Sequence, residues 1–430
     1  MPRSLLLLFF ALFLAMIGFG LTLPVLPAFV ERLALGSAAT PGRVALHVGT
    51  LTSAYALTQL VLAPLWGWWS DRHGRKTLVV LGLIGVALSQ VAFGLGSSLE
   101  LLYGARLVGG AFAAALVVAA TAAVADAVPE GERGRAMAWL GTAVSLGFVA
   151  GPALGGLLAR DAWRVALTPG ALVFDGFSVP FFVAAGLTLA AVPLVAAYLP
   201  QSKPATASAR AARLPVRWGR LAHRLGGVLA LVLVAQAALT LFEAVFALYA
   251  DRVLGFGLRE IGVAFALCGL VMAVFQGGAV GWLSGRVRVR VQIALGFGML
   301  GVGLLLLPVL TRVPAVLAAV SLLALGVAFV TPNLLTLAAD RSGPEAGTGL
   351  GLLGTAGGLG QILGPLVGSL LFAWQVDLPF LAAGGVALAV AAGTVGLRHT
   401  PRRAPIPVPR HSSRDGSRSR SVEPSPAGTP

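Results

Sequence analysis

Twelve mostly apolar stretches run along this chain, at about residues 4–30, 46–66, 77–97, 99–125, 137–159, 178–199, 227–250, 259–283, 291–310, 314–338, 348–373 and 378–397. A helix of roughly 20 apolar residues crosses a bilayer. Lipid offers the backbone no hydrogen bonds, so stretches of this kind must close theirs internally, as helices. Of 430 residues, 57% are hydrophobic and only 11% charged, against about 25% charged in soluble domains. Mean hydropathy is +0.89. Too few charges remain to clothe a soluble globule. The expectation is an all-α membrane protein, and a cytosolic enzyme is excluded. The first run, from Ser4 to Val30, is longer than a signal-peptide core and is expected to be an uncleaved first helix.

Charge orients the spans. The formal net charge is +15, from 31 Lys+Arg and 16 Asp+Glu. The termini and the 67–76, 126–136, 200–226, 284–290 and 339–347 connections carry 23 of the 31 basic residues, and the opposite connections carry seven. The positive-inside rule therefore puts both termini in the cytoplasm of a cell membrane, inner or cytoplasmic. With no soluble basic domain, the charge does not imply nucleic acid. Cys268 is the only cysteine, which excludes an intramolecular disulfide and a cysteine metal cluster; it is expected as a small buried hydrophobe.

The organisation expected is a six-helix bundle over 1–200, a cytoplasmic linker over 201–226, a second six-helix bundle over 227–398 and a disordered, Pro-, Ser- and Arg-rich tail over 399–430. The linker, with Lys203, Arg210, Arg213, Arg217 and Arg220, is expected to be partly a basic amphipathic helix on the membrane surface. The two halves repeat. Gly67-Trp-Trp-Ser-Asp71-Arg72 matches Gly281-Trp-Leu-Ser-Gly285-Arg286 at an offset of 214, and Asp126 matches Asp340 at the same offset. Gly151-Pro152 matches Gly364-Pro365 at 213. A duplicated, parallel six-helix unit is a transporter plan with its site between the halves.

Three motifs narrow the reading. After span two comes Gly67-Trp68-Trp69-Ser70-Asp71-Arg72-His73-Gly74-Arg75-Lys76, read as a tight turn in which Gly67 lets helices approach and Gly74 takes positive φ. Span four carries Leu102, Arg106, Gly110, Ala113 and Ala114; span five carries Gly147, Gly151, Pro152, Gly155 and Gly156. The stripe Gly147, Gly151, Gly155 allows close helix contact, Pro152 adds a bend, and Gly360, Gly364 and Gly368 beside Pro365 repeat it in span eleven. Together these resemble the major facilitator superfamily over about residues 4–398, and the fifth-span motif is similar to that of its drug:proton antiporters. The resemblance implies two pseudo-two-fold-related six-helix bundles. It also implies a charge latch at Gly67, Asp71, Arg72, Gly74, Arg75 and Lys76, and a hinge at the two glycine stripes. Two departures stand out. Gly109 takes the place of the usual polar residue in span four, and Gly285 replaces the acid of the second latch, which should be weaker.

Only two ions lie deep within spans, Arg106 and Glu243. A charge at bilayer depth costs about 2.5–3.5 kcal/mol on the mildest scales. Each lies about seven residues, roughly 10 Å, from the outer end of its span. In the fold implied by the resemblance both would face the central cavity. Gln236, Thr240 and Glu243 share one helix face, and residues 242–252 resemble the seventh helix of tetracycline-type efflux proteins. Glu243 is the candidate proton-titrating group. Apolar surroundings favour its neutral acid; water or an approaching Arg106 favours the anion. A structural buried ion pair, or a carboxylate that snorkels to the interface, is the competing reading.

Tyr55, Gln59, Phe246, Gln276 and Asn333 are further cavity candidates, with Thr331 and Thr336 beside Pro332. Asp126 with Arg133 and Arg135, and Asp340 with Arg341, are expected gating ion pairs. No phosphate loop or metal-spaced cluster is present in the sequence, so no cofactor and no enzymatic activity are expected. The partners expected are a small-molecule substrate, protons and the bilayer, for a monomeric chain. The function expected is alternating-access export of amphipathic drugs by proton antiport. A metabolite or sugar transporter is the alternative within the fold, and a membrane scaffold or sensor the alternative outside it.

Overall fold

The computed structural model describes residues 3–34, 40–129, 132–159, 164–168, 172–201, 218–277 and 286–396. Twelve α-helices lie among them: α1 (Arg3–Ala34), α2 (Pro41–His73), α3 (Arg75–Gly94), α4 (Leu99–Ala127), α5 (Arg133–Leu158), α6 (Val179–Tyr198), α7 (Trp218–Arg252), α8 (Leu258–Gly277), α9 (Val289–Leu306), α10 (Val313–Ser342), α11 (Ala346–Trp374) and α12 (Leu378–Gly396). The first eleven are long and apolar enough to cross a membrane; in the twelfth the apolar stretch Leu378–Thr394 is shorter. An even number of traversals brings the start of α1 and the end of α12 to one end of the bundle, here the termini end. Glu31 and Arg252 lie at the far end, where they form an ion pair that joins α1 to α7.

Local chemistry sets the helix limits. Thr40 caps α2, its Oγ1 accepting from the Arg43 amide, and Pro41 follows at the first turn. Ser98 caps α4 in the same way, through the Leu101 amide. Gly74, at φ 91°, separates α2 from α3, a conformation that a residue with a Cβ adopts at a cost. Residues 67–73 are the last turns of α2 and not a loop; the tight turn is confined to Gly74. Nor does Gly67 mediate a close approach, since the nearest atom to a Cβ placed there is Val118 Cγ1 at 3.8 Å.

One element departs from the all-α expectation. Between α5 and α6 a short antiparallel hairpin, β1 (Arg164–Thr168) and β2 (Leu172–Asp175), pairs Arg164 with Asp175 and Val165 with Phe174. The expected surface helix of the linker falls mostly on 202–217, outside the described residues, as do the tail and the second latch at 281–285; α7 begins at Trp218, earlier than expected.

The sequence repeat reappears as packing. A Cβ on Gly82 of α3 would lie 2.8 Å from the Leu116 amide of α4, and one on Gly296 of α9 would lie 2.8 Å from the Gly326 carbonyl of α10. Gly82 and Gly296 stand 214 residues apart. In α5, a Cβ on Gly151 would lie 2.6 Å from Ile17 O of α1, and one on Gly155 would lie 2.7 Å from Leu21 O. In α11, one on Gly360 would lie 2.7 Å from Leu233 O of α7, and one on Gly368 2.7 Å from Leu241 Cγ. Each glycine stripe thus seats its helix on the corresponding helix of its own half. The halves meet along two seams, α2 on α11 and α5 on α8. Ser53 Oγ donates to Ile362 O at 2.7 Å in the first. In the second, a Cβ on Gly156 would lie 2.6 Å from Leu258 O.

Candidate functional site

A cavity of about 350 Å³ lies between the halves. Its walls come from α1, α2, α4 and α5 on one side and from α7, α8, α10 and α11 on the other, the same four helices of each repeat. Met16, Phe19, Leu23, Phe148, Leu239, Phe265, Cys268 and Met272 make most of the surface apolar. The polar groups are Thr52, Tyr55, Gln59, Ser145, Gln236, Thr240, Glu243, Gln276, Thr331 and Gln361. Glu243 is the only carboxylate among these lining residues, and no Lys, Arg or His lines the cavity with it.

Helical spacing accounts for the α7 wall. Gln236, Thr240 and Glu243 recur on one face, and all three line the cavity. Thr240 is held by its own Oγ1, which donates to Gln236 O at 2.8 Å and to Gly360 O of α11 at 3.3 Å. On α2, Tyr55 and Gln59 stand one turn apart and both reach the cavity; Gln276 does so from α8.

Two cavity candidates sit elsewhere. Phe246 is fully buried against Phe242 and Phe265, with ring centroids 4.8 and 5.6 Å away; an aromatic on the cavity-side stripe has been drawn into the α7–α8 core. Asn333 is buried between helices, its Nδ2 donating to Gln292 Oε1 of α9 at 3.0 Å and to Phe329 O at 2.8 Å. Its amide is consumed in joining α9 to α10. Thr331 alone of the α10 polar group lines the cavity, while Thr336 returns its hydroxyl to Pro332 O.

Arg106 does not line the cavity either. It is 7% exposed, and its guanidinium carbon lies 4.8 Å from the Phe93 ring centre and 5.6 Å from that of Tyr55. Its Nε has no hydrogen-bond partner. No ion pair forms between it and Glu243 among the described residues.

At the termini end of the first half, Arg75 gathers the charges of three helices. Arg75 Nη1 lies 2.6 Å from Asp71 Oδ1 and donates to Ser70 Oγ at 3.0 Å; its Nε donates to Asp126 Oδ2 at 3.0 Å. Arg72 lies over the Trp68 ring at 3.7 Å. Asp126 therefore pairs with Arg75; the side chains of Arg133 and Arg135 lie outside those described. Asp340 is exposed and makes no ion pair among the described residues, and Arg341 is exposed beside it. Lys76 follows Arg75 in the first turn of α3, next to this network.

Sequence reasoning missed Gln361, Ser145 and the sulfur pair Cys268 and Met272. A lone glutamine in a glycine-rich span has no partner at helical spacing to mark it. Cys268 and Met272 stand one turn apart on α8, a spacing that reads equally well as core.

The chain matches the family described as Major Facilitator Superfamily over residues 8–345 and again over 232–426. It is 29% identical over 382 residues to Multidrug resistance protein 2 of Bacillus subtilis (strain 168), covering 87% of this chain and 90% of that one. It is 25% identical over 390 residues to Quinolone resistance protein NorA of Staphylococcus aureus (strain MRSA252), covering 90% and 95%. Among solved structures, that of the human organic anion transporter MFSD10 (TETRAN) aligns with a TM-score of 0.65 at 25% identity, covering 92% of this chain and 100% of the other.

Proposed function

The chain belongs to the Major Facilitator Superfamily and is a multi-pass secondary transporter, and from that premise we propose that it exports small amphipathic organic compounds in exchange for protons, by alternating access. One observation carries the reading: a largely apolar cavity between the halves holds a single carboxylate, Glu243, among its lining residues. Apolar and aromatic walls suit a lipid-soluble compound, and four glutamines offer hydrogen bonds without fixed charge. A carboxyl there changes charge as the cavity gains or loses water, which links proton occupancy to conformation. The names of the relatives, multidrug and quinolone resistance proteins, support this substrate class.

The remaining roles follow. The two bundles rock about the cavity on the glycine stripes of α5 and α11, the second of them entered at Trp218, where α7 begins. The Asp71–Arg75–Asp126 network stiffens the first bundle at the cytoplasmic face. Both termini lie in the cytoplasm, a placement that the 23-to-7 division of basic residues supports, and the chain works as a monomer in the cell's cytoplasmic membrane.

Everted vesicles with an imposed proton gradient test the reading, screened against dyes, antibiotics and sugars. Gradient-driven uptake of amphipathic dyes is expected for the wild type, and its loss for Glu243→Gln. Undiminished coupling in Glu243→Gln would remove Glu243 from the mechanism, and uptake confined to sugars would replace the substrate class.

A further inference from the structure

Arg106 is a buried cation without a carboxylate. Its two neighbours in charge terms are the faces of Phe93 and Tyr55. Aromatic faces attract a guanidinium, but they do not replace the hydrogen-bonded anion that a buried charge ordinarily demands, and its Nε remains unpartnered. Any anion able to reach this group would gain both a charge partner and an open donor.

Tyr55 is the residue that both faces Arg106 and lines the cavity. This residue lines the cavity together with Glu243. Its ring packs on Phe19, another lining residue, at 5.0 Å between centroids. The same ring faces the guanidinium. Its seat is cut into α4 by two adjacent glycines. A Cβ on Gly109 would lie 2.9 Å from Ser89 Oγ and 3.3 Å from Tyr55 Cε2, and one on Gly110 would run into Tyr55 O. The glycine that departs from the family pattern at 109 thus has a physical use: it leaves room for the ring.

We infer that Tyr55 is a partition that keeps the Arg106 guanidinium out of the cavity and so fixes the charge of the compounds the cavity accepts. This rests on the reading of the cavity as the substrate site. With the ring in place, the cavity presents one formal charge, that of Glu243, and selects cations and neutral molecules over anions. Without it, an anion meets an unneutralised guanidinium at the cavity wall.

Two ions of one shape and opposite charge, tetraphenylphosphonium and tetraphenylborate, make the test. Equilibrium binding is measured on the full chain in zwitterionic nanodiscs, with empty discs subtracted and thermal unfolding followed in parallel. The wild type is expected to prefer the phosphonium. Tyr55→Ala is expected to move the binding ratio toward the borate by as much as roughly two-hundredfold, since a unit charge acting over roughly 10 Å at an effective dielectric of about 20 shifts each ion about fifteenfold, in opposite directions. Tyr55→Phe keeps the ring and should keep the wild-type ratio. Tyr55→Ala with Arg106→Gln should return the ratio to wild type, because the shift belongs to the charge and not to a wider cavity. Tyr55→Leu, which preserves more bulk, supplies the same comparison should the alanine variant unfold. An unmoved ratio in a folded Tyr55→Ala or Tyr55→Leu protein overturns the partition alone, as does a shift that survives Arg106→Gln. A wild type that binds neither probe overturns the cavity reading, and the partition with it.

Discussion

Arg75 at the start of α3 donates through Nε to Asp126 near the end of α4 at 3.0 Å, while its Nη1 meets Asp71 of α2 at 2.6 Å. One guanidinium fork therefore ties three consecutive helices of the first half. The Arg75 side chain is 14% exposed and that of Asp126 47%, so water screens part of the attraction. Arg75→Ala is expected to destabilise the protein by about 1 kcal/mol, the upper range for partly exposed pairs. A double-mutant cycle with Asp126→Asn, read by thermal unfolding in detergent, should give a coupling on the order of 0.5–1 kcal/mol. Arg75→Lys should recover only part of the loss, since an ammonium lacks the fork that spans both carboxylates. Zero coupling would show that the three-helix tie does not form in the membrane protein.

The glycine stripes make a sharper prediction, because their neighbours are backbone. A methyl on Gly151 has Ile17 O at 2.6 Å and the Gly20 Cα at 2.7 Å; neither can rotate away. Gly151→Ala should therefore force α5 off α1 and cost about 1–3 kcal/mol. Gly360→Ala should do the same to α11 on α7, where Leu233 O lies 2.7 Å from the added carbon. Gly186, in the middle of α6, has nothing within 4 Å of a Cβ. Gly186→Ala should gain about 0.5–1 kcal/mol from backbone entropy alone. Equal effects at the three positions, measured by unfolding and by yield, would remove the packing role.

Asn333 and Gln361 should separate stability from selectivity. Asn333 joins α9 to α10 through Gln292 and is not among the residues that line the cavity between the halves, whereas Gln361 reaches that cavity from α11. Asn333→Leu removes a buried donor that Gln292 accepts, at about 1–3 kcal/mol, and should leave the order of preference among substrates unchanged. Gln361→Leu should do the reverse, altering that order with little change in unfolding midpoint. The readout is a panel of substrates compared by transport rate against thermal unfolding. A changed preference in Asn333→Leu would place its amide in the substrate path.

What could be read from the sequence follows from which signals are periodic. Spans are twenty-residue signals, and the repeat at 214 survives in the glycine contacts of Gly82 and Gly296. The α7 stripe was legible because three polar residues recur at helical spacing on an apolar background. Residues 67–73 read as a loop because their charges and glycine resemble a turn, yet amide hydrogen bonds carry α2 on to His73. Charge position along a span gives depth but not azimuth, so the sequence places Arg106 and Glu243 at one level and cannot tell that only Glu243 lines the cavity. Phe246 and Glu243 stand three residues apart, and nothing in an apolar helix says which side of the cavity edge an aromatic will take. The hairpin at 164–175 follows no strong alternation of apolar and polar residues.

The far end of the molecule offers a test of alternation itself. Glu31 of α1 and Arg252 of α7 are paired there. The Ser53–Ile362 bond and the Gly156–Leu258 approach join the halves along the two flanking seams. For the cavity to open toward this end, α1 and α7 must part, so a covalent tie between them should stop turnover. Cys268 is the single native thiol, and Cys268→Ala gives a thiol-free background. In that background Glu31→Cys with Arg252→Cys, bridged by a short bifunctional methanethiosulfonate, should lose transport in proportion to the fraction crosslinked. Reductant should restore it. The uncrosslinked double variant should retain transport, since a partly exposed ion pair contributes only about 0–1 kcal/mol. Wild-type turnover in the fully bridged protein would show that the two helices need not separate, and that substrate passes by another route.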